Sequence, residues 1–170
     1  MTLRAVIMGV AGCGKSTVGA ALAERLGVAY QDGDLLHPPA NVAKMRAGRP
    51  LTDRDRAPWL DLVAAALRDR APLIVGCSAL RRIYRDRIRA GAGGPVRFIH
   101  LTGDRALIAA RMAARTGHYM PLSLLDSQFA ALEAPDPEEQ ALTVPIDQPL
   151  DTIVAAVADA LAPAPKDSRA

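Results

Sequence analysis

A three-layer α/β/α sandwich built on a five-stranded parallel sheet is the fold that this 170-residue sequence predicts. Three observations carry that expectation. Apolar runs of four to six residues alternate with longer helical patterns, the rhythm of strand-helix-strand units. The first run feeds directly into a glycine-rich loop and then a helix. There is no internal repeat, and the only two cysteines, Cys13 and Cys77, are too few and too far apart for a disulfide framework or a zinc site.

The elements follow in order. The apolar stretch 4–8 is the first strand, and the loop after it opens a helix over 15–26. A second strand over 29–31 ends at two acids, and a helix over 39–47 starts at a proline pair. Helix 54–70 leads to strand 73–77, helix 80–90 to strand 97–101, and helices 104–115 and 122–133 to strand 142–144, with a last helix over 150–161. Segments 91–95 and 135–137 are loops by their glycines and prolines. One domain is expected over 1–162, with a lid at about 115–125 and a disordered tail over 163–170. In helix 80–90, Leu80, Tyr84 and Ile88 repeat every four residues as a buried stripe, with Arg82, Arg85 and Arg89 on the other side.

Composition narrows the function. A net charge of +3 is mildly basic, and the bases are 18 arginines against Lys15, Lys44 and Lys166. Six scattered aromatic residues form no stacking pattern, so no nucleic acid is expected as a partner and a small anion suits the arginines better. The N-terminus lacks a signal peptide's apolar region and no run approaches a membrane span, so a cytoplasmic protein without membrane contact is expected.

The stretch Gly9-Val10-Ala11-Gly12-Cys13-Gly14-Lys15-Ser16-Thr17 matches G-x-x-x-x-G-K-[ST] between a strand and a helix. Its glycines let successive N–H groups turn inward, and the following helix adds its positive end, so a nucleotide triphosphate fits the concavity. Gly9, Ala11, Gly12, Cys13, Gly14 and Thr17 form the cradle. Lys15 reaches the β and γ phosphates, and the Ser16 hydroxyl ligates Mg²⁺ of Mg·ATP. A plain glycine turn would need neither lysine nor hydroxyl.

The tip of the second strand, Asp32-Gly33-Asp34, lies at the same sheet edge. On its own it reads as a solvated turn. Beside a phosphate loop it reads as a working pair: if the extended backbone continues through Gly33, both carboxylates point to one side. Asp32 then holds Mg²⁺ through its waters, and Asp34 binds the acceptor hydroxyl and takes its proton.

Further motifs resemble the gluconokinase family. They are Asp32-Gly33-Asp34-x-x-His37-Pro38, Asn41, Lys44-Met45, Gly48-x-Pro50-Leu51-x-Asp53-x-Asp55-Arg56-x-Pro58-Trp59-Leu60, Cys77-Ser78-Ala79-Leu80-x-x-x-Tyr84-Arg85-Asp86, Gly117-His118-x-Met120 and Ser127-Gln128-Phe129-x-x-Leu132-Glu133-x-Pro135. The resemblance covers about residues 5–160. It implies a P-loop kinase, similar in fold to shikimate and adenylate kinases, that moves the γ-phosphate of ATP to the 6-hydroxyl of D-gluconate as a homodimer. The chain departs from the family pattern at Cys13, where serine is frequent, at Arg81, where lysine is frequent, and at Tyr119, where phenylalanine is common.

An acid with a string of hydroxyls needs a guanidinium fork and several polar partners. Arg56, Ser78, Arg81 and Arg85 are expected to supply them, with His118 from the lid segment; His37 either hydrogen-bonds the acceptor or caps the turn before Pro38. Arg111 and Arg115 share a helical face before the lid. Arg111 is expected at the adenine or the phosphates and Arg115 at the γ-phosphate, with a surface ion pair as the ordinary alternative. The resemblance places the backbone around Asp147 and Gln148 beside the adenine. His100 reads as a core histidine and Trp59 as packing. The rival readings are another small-molecule kinase of this fold, with a shikimate-like or nucleotide acceptor, and a regulatory nucleotide-binding protein.

Overall fold

The computed structural model describes residues 2–114 and 122–163. Five strands form one all-parallel sheet: β1 (Arg4–Met8), β2 (Ala29–Asp32), β3 (Leu73–Gly76), β4 (Arg97–Thr102) and β5 (Leu142–Pro145), in the order β2-β3-β1-β4-β5. The helices among the described residues are α1 (Lys15–Leu26), α2 (Pro39–Arg46), α3 (Asp53–Asp69), α4 (Arg82–Gly91), α5 (Arg105–Ala114), α6 (Leu122–Ala131) and α7 (Leu150–Leu161). The sandwich expected from the alternating pattern is therefore observed.

Period-two alternation along β1 sorts the core into two layers. Ala5 and Ile7 face the side holding Val18 and Leu22 of α1 and Val154 and Val157 of α7. Val6 and Met8 face Trp59, Val63 and Leu67 of α3 and Tyr84 and Ile88 of α4. Because the central strands are covered on both faces, they read as continuous apolar runs. Fully burying each of these aliphatic side chains contributes about 1.5–3 kcal/mol.

Parallel strands bring all their carboxyl ends to one edge, so the segments after β1, β2, β3 and β5 meet there. Two local departures from the expected elements matter at that edge. β2 does not run on in extended form, since a 3₁₀ turn over Gly33–Leu36 begins directly after Asp32. Helix α4 starts at Arg82 and not at residue 80, because Ala79 adopts a left-handed conformation, φ 44°, which breaks the chain between β3 and the helix.

Candidate active site

The phosphate loop joins β1 to α1. Gly9, Gly12 and Gly14 have φ of 146°, 78° and 95°, and at Gly9 a Cβ would lie 2.9 Å from the Leu101 carbonyl oxygen, so glycine is required by both conformation and space. Helix α1 carries no acid in its first turn, which leaves its positive end uncompensated toward the loop. Lys15 folds over the loop, with Nζ donating to the carbonyls of Gly9 and Val10 at 3.0 Å each and lying 4.0 Å from Cys13 Sγ. Ser16 and Thr17 are exposed at the helix start, and Cys13 is buried.

At the end of β2, Asp32 Oδ1 accepts the Asp34 N–H at 2.9 Å and so caps the 3₁₀ turn. The extended backbone therefore does not continue through Gly33: the two carboxylates are related by a turn, not by strand alternation. The turn is pinned from two sides. A Cβ on Gly33 would lie 2.4 Å from the Gly76 carbonyl oxygen, so only glycine lets β2 approach β3 there. On the other side, Trp59 Nε1 donates to the Gly33 carbonyl at 2.8 Å.

Asp34 has open surface yet stands among packed walls. That desolvation, and then the Asp32 carboxylate, push its carboxyl up, while Lys15 and His37 pull it back. His37 stacks on Trp59 with centroids 4.1 Å apart. Asn41 Nδ2 donates to the Asp55 carbonyl at 3.0 Å, which identifies it as the amide nitrogen, so its 3.3 Å contact with His37 Nδ1 makes that atom an acceptor. The imidazole is then neutral with its proton on Nε2, and burial, first among the causes, lowers its pKa in the same sense.

Tyr30 lies beneath this pair, its ring wedged between Gly19 of α1 and Gly76 of β3. Its hydroxyl is buried without a hydrogen-bond partner among the described residues. Burial raises the phenol's pKa, the nearby Ser16 hydroxyl offsets that in part, and Asp32 and Asp34 add to it. Ser16 and Asp32, which both act on this phenol, offer a hydroxyl and a carboxylate oxygen of the kind Mg²⁺ takes beside phosphate oxygens and water.

The arginines divide. Arg56 is half-buried, its Nη1 donating to the Leu51 carbonyl at 2.6 Å with its guanidinium 5.5 Å over the Tyr84 ring, and its charge reaches His37. Arg81 keeps its charge but is engaged by Asp53 at 2.5 Å and Glu133 at 3.1 Å. Arg85 corrects the expectation of a substrate contact. Its side chain is 0% exposed and is paired with Glu139 at 2.7 and 2.9 Å, with Nη1 donating to the carbonyls of Ala79 and Leu80. It lies on the buried side of α4 and braces the left-handed turn there. Ser78, just before that turn, is half-buried, and its carbonyl accepts the Gly9 N–H at 3.2 Å, joining the β3 loop to the phosphate loop.

On the far side, Arg111 Nη2 donates to the Ile146 carbonyl at 2.6 Å, which brings it to the segment bearing Asp147 and Gln148. Gln148 Nε2 closes that segment onto the Pro145 carbonyl at 2.7 Å. Arg115, His118 and the first part of the expected lid lie outside the described residues. His100 is buried, as expected of a core histidine. Trp59 is buried too, but its bond to Gly33 and its stack on His37 make it more than packing.

Sequence reasoning assigned no role to Gln128, whose Oε1 accepts the Ala11 N–H at 2.6 Å from helix α6. Nor did it single out Glu139, the partner of Arg85. Trp59 offered a signal, since a buried indole N–H has to find an acceptor. Gln128 offered only a weak one, a polar side chain three residues beyond the buried Leu125.

A family model described as an AAA domain matches residues 5–135. The chain is 46% identical over 153 residues to a gluconokinase of Gluconobacter oxydans, covering 88% of this chain and 85% of that one. It is 42% identical over 161 residues to the thermoresistant gluconokinase of Escherichia coli, covering 92% and 91%. The crystal structure of a gluconokinase from Sinorhizobium meliloti superposes with a TM-score of 0.84 at 46% identity, covering 94% of this chain and 95% of that one. With that identity across nearly the whole of each chain, and with the loop and the acid pair in the same strand-end edge, the chain belongs to the gluconokinase family.

Proposed function

We propose that this enzyme transfers the γ-phosphate of Mg·ATP to the 6-hydroxyl of D-gluconate, giving 6-phospho-D-gluconate. The single observation that carries the mechanism is the place of Asp34. A carboxyl raised from its ordinary value stands within electrostatic reach of the phosphate-loop lysine, on a turn fixed by Trp59 and Gly33. Such a group takes a proton from an alcohol more readily than an ordinary aspartate does.

The phosphate loop binds the triphosphate through its N–H groups, and Lys15 exchanges its two carbonyl partners for phosphate oxygens. Ser16 and Asp32 would hold Mg²⁺, which would supply neutralisation of phosphate charge. Asp34 orients the acceptor hydroxyl and accepts its proton as the phosphorus–oxygen bond forms and ADP leaves. His37, through Nε2–H, and Ser78 bind acceptor hydroxyls, and Arg56 binds the gluconate carboxylate. Arg81 adds a screened positive charge, because Asp53 and Glu133 already face it. Arg111, Asp147 and Gln148 line the adenine side, with Arg115 and His118 acting from a lid. The active form is a homodimer in the cytoplasm, a compartment that suits the two buried thiols; burial pushes that of Cys77 up to about 12. No helix among the described residues is long and apolar enough to cross a membrane.

The assay is ADP release from Mg·ATP with gluconate, shikimate, other aldonates and nucleoside monophosphates offered separately, with ³¹P NMR of the product. Gluconate is expected to give the fastest release and a phosphomonoester on its primary carbon. Release with gluconate no faster than in buffer rejects the substrate, and faster release with shikimate or a nucleotide installs that acceptor instead.

A further inference from the structure

We infer that Gln128 is a positioning residue for the nucleotide: from helix α6 it clamps the Val10–Ala11 peptide and keeps the phosphate loop curled when Lys15 turns to the phosphates. The inference rests on the nucleotide half of the proposed function and is independent of which acceptor is phosphorylated.

The peptide unit between Val10 and Ala11 is gripped at both of its polar atoms. Its carbonyl accepts Lys15 Nζ at 3.0 Å and the Cys13 N–H at 3.3 Å. Its N–H donates to Gln128 Oε1 at 2.6 Å, a bond that spans 117 residues of sequence. Because Ala11 offers only a donor, the amide orientation of Gln128 is fixed: Oε1 faces the loop. The unit sits between Gly9 and Gly12, both with positive φ, so glycine on either side gives the backbone room to re-curl. When Lys15 engages phosphate it gives up the Val10 carbonyl. From then on the side-chain bond that this peptide keeps is that of Gln128, while the Ser78 carbonyl holds the loop at Gly9.

The clamp works because α6 is itself held. Leu125 is fully buried, and Phe129 packs against the same core layer. Asp126 pairs with Arg105 of α5, with Arg105 Nη2 at 3.2 Å from Oδ2. Just past the helix, Glu133 N–H donates to the Leu80 carbonyl at 2.8 Å, and its carboxylate pairs with Arg81 and caps the Arg82 N–H. Helix α6 and the residues just after it therefore touch the phosphate loop at Ala11 and the β3 loop at Leu80. A side chain on a helix fixed in this way holds a position more sharply than one on a loop.

The test is hydrogen exchange of the Ala11 amide by NMR in the protein without nucleotide, read beside the Val6 and Ile7 amides of β1 as folding controls, together with ATP titration. In the wild-type protein the Ala11 amide should be protected. In Q128L it should exchange on the order of tenfold faster with β1 unchanged, and ATP binding should weaken about fivefold, the factor of one ordinary hydrogen bond. Q128E keeps an acceptor for the same N–H and should restore Ala11 protection. In steady state, Q128L should raise the KM for ATP more than it lowers kcat. An unprotected Ala11 amide in the wild-type protein, which needs no variant to fold, overturns the inference. So does a Q128E protein that exchanges Ala11 as fast as Q128L. A failure of nucleotide binding itself shows as absent ATP binding by the wild-type protein, so the two failures are told apart.

Discussion

Trp59 on α3 donates its indole N–H to the carbonyl of Gly33 at 2.8 Å, so the turn that carries Asp34 hangs from a buried ring of the core layer against which its own Leu36 packs. The same ring stacks against His37 at 4.1 Å. One side chain thus fixes both ends of the four-residue turn, and the acid and the imidazole move only if the core moves.

Trp59→Phe keeps the stack and loses the hydrogen bond. The loss of that one bond costs about 0.5–1.5 kcal/mol, visible as a lower urea midpoint at unchanged slope. Turnover with gluconate should fall more than ATP affinity does, because the loop after β1 does not touch the indole. An unchanged midpoint with full turnover would deny Trp59 its positioning role.

Asp34 makes a second, opposite kind of prediction. Its carboxyl is raised above its ordinary value of 3.8, first by desolvation and then by Asp32, so the folded state holds the proton more tightly than the unfolded state does. Folding stability contributed by this group is therefore present at low pH and is lost as pH rises from the unfolded pKa through the folded one. Asp34→Asn should melt higher than the wild-type protein at neutral pH and show no such advantage below pH 3.8, where both side chains are neutral. Thermal melts at the two pH values decide it. The same shift moves the acid limb of kcat/KM upward from the ordinary value of an aspartate.

The Arg85–Glu139 pair behaves in the reverse sense. Arg85, first among the causes, holds Glu139 down to about 2 from an ordinary 4.5, so its stabilisation is complete above pH 4.5 and is lost as pH falls from there toward 2. Glu139→Gln strands a guanidinium that is 0% exposed, which costs about 3–5 kcal/mol at neutral pH. The deficit should shrink in acid, as the wild-type glutamate itself becomes neutral. A variant as stable as the wild-type protein at pH 7 would mean that the pair does not brace the turn at Ala79.

Much of this was legible in the sequence because it rests on local rules. The strands are apolar runs, the phosphate loop is a spaced set of glycines with one lysine, and the ends of β1 and β2 must share an edge in a parallel sheet. The misreadings came from features that one sequence does not encode locally. Arg85 is expected at the substrate because it lies near the helix start and the strand end; its partner Glu139 is 54 residues away, and the buried pair holds the side chain inward. The sequence leaves open whether the extended backbone continues through Gly33, and the capping of the next N–H by Asp32, which starts a 3₁₀ turn, is what decides it. Gln128 stood within a motif without a role, since the Ala11 N–H it accepts is 117 residues distant.

The most direct test of the central claim is the turnover of Asp34→Ala with saturating gluconate and Mg·ATP, measured beside its affinity for ATP. Loss of a positioned base predicts a kcat lower by at least about 10²-fold with ATP still bound as in the wild-type protein. Turnover within a few-fold of wild type would contradict it, and would leave the strand-end acid as a mere turn residue beside a nucleotide site.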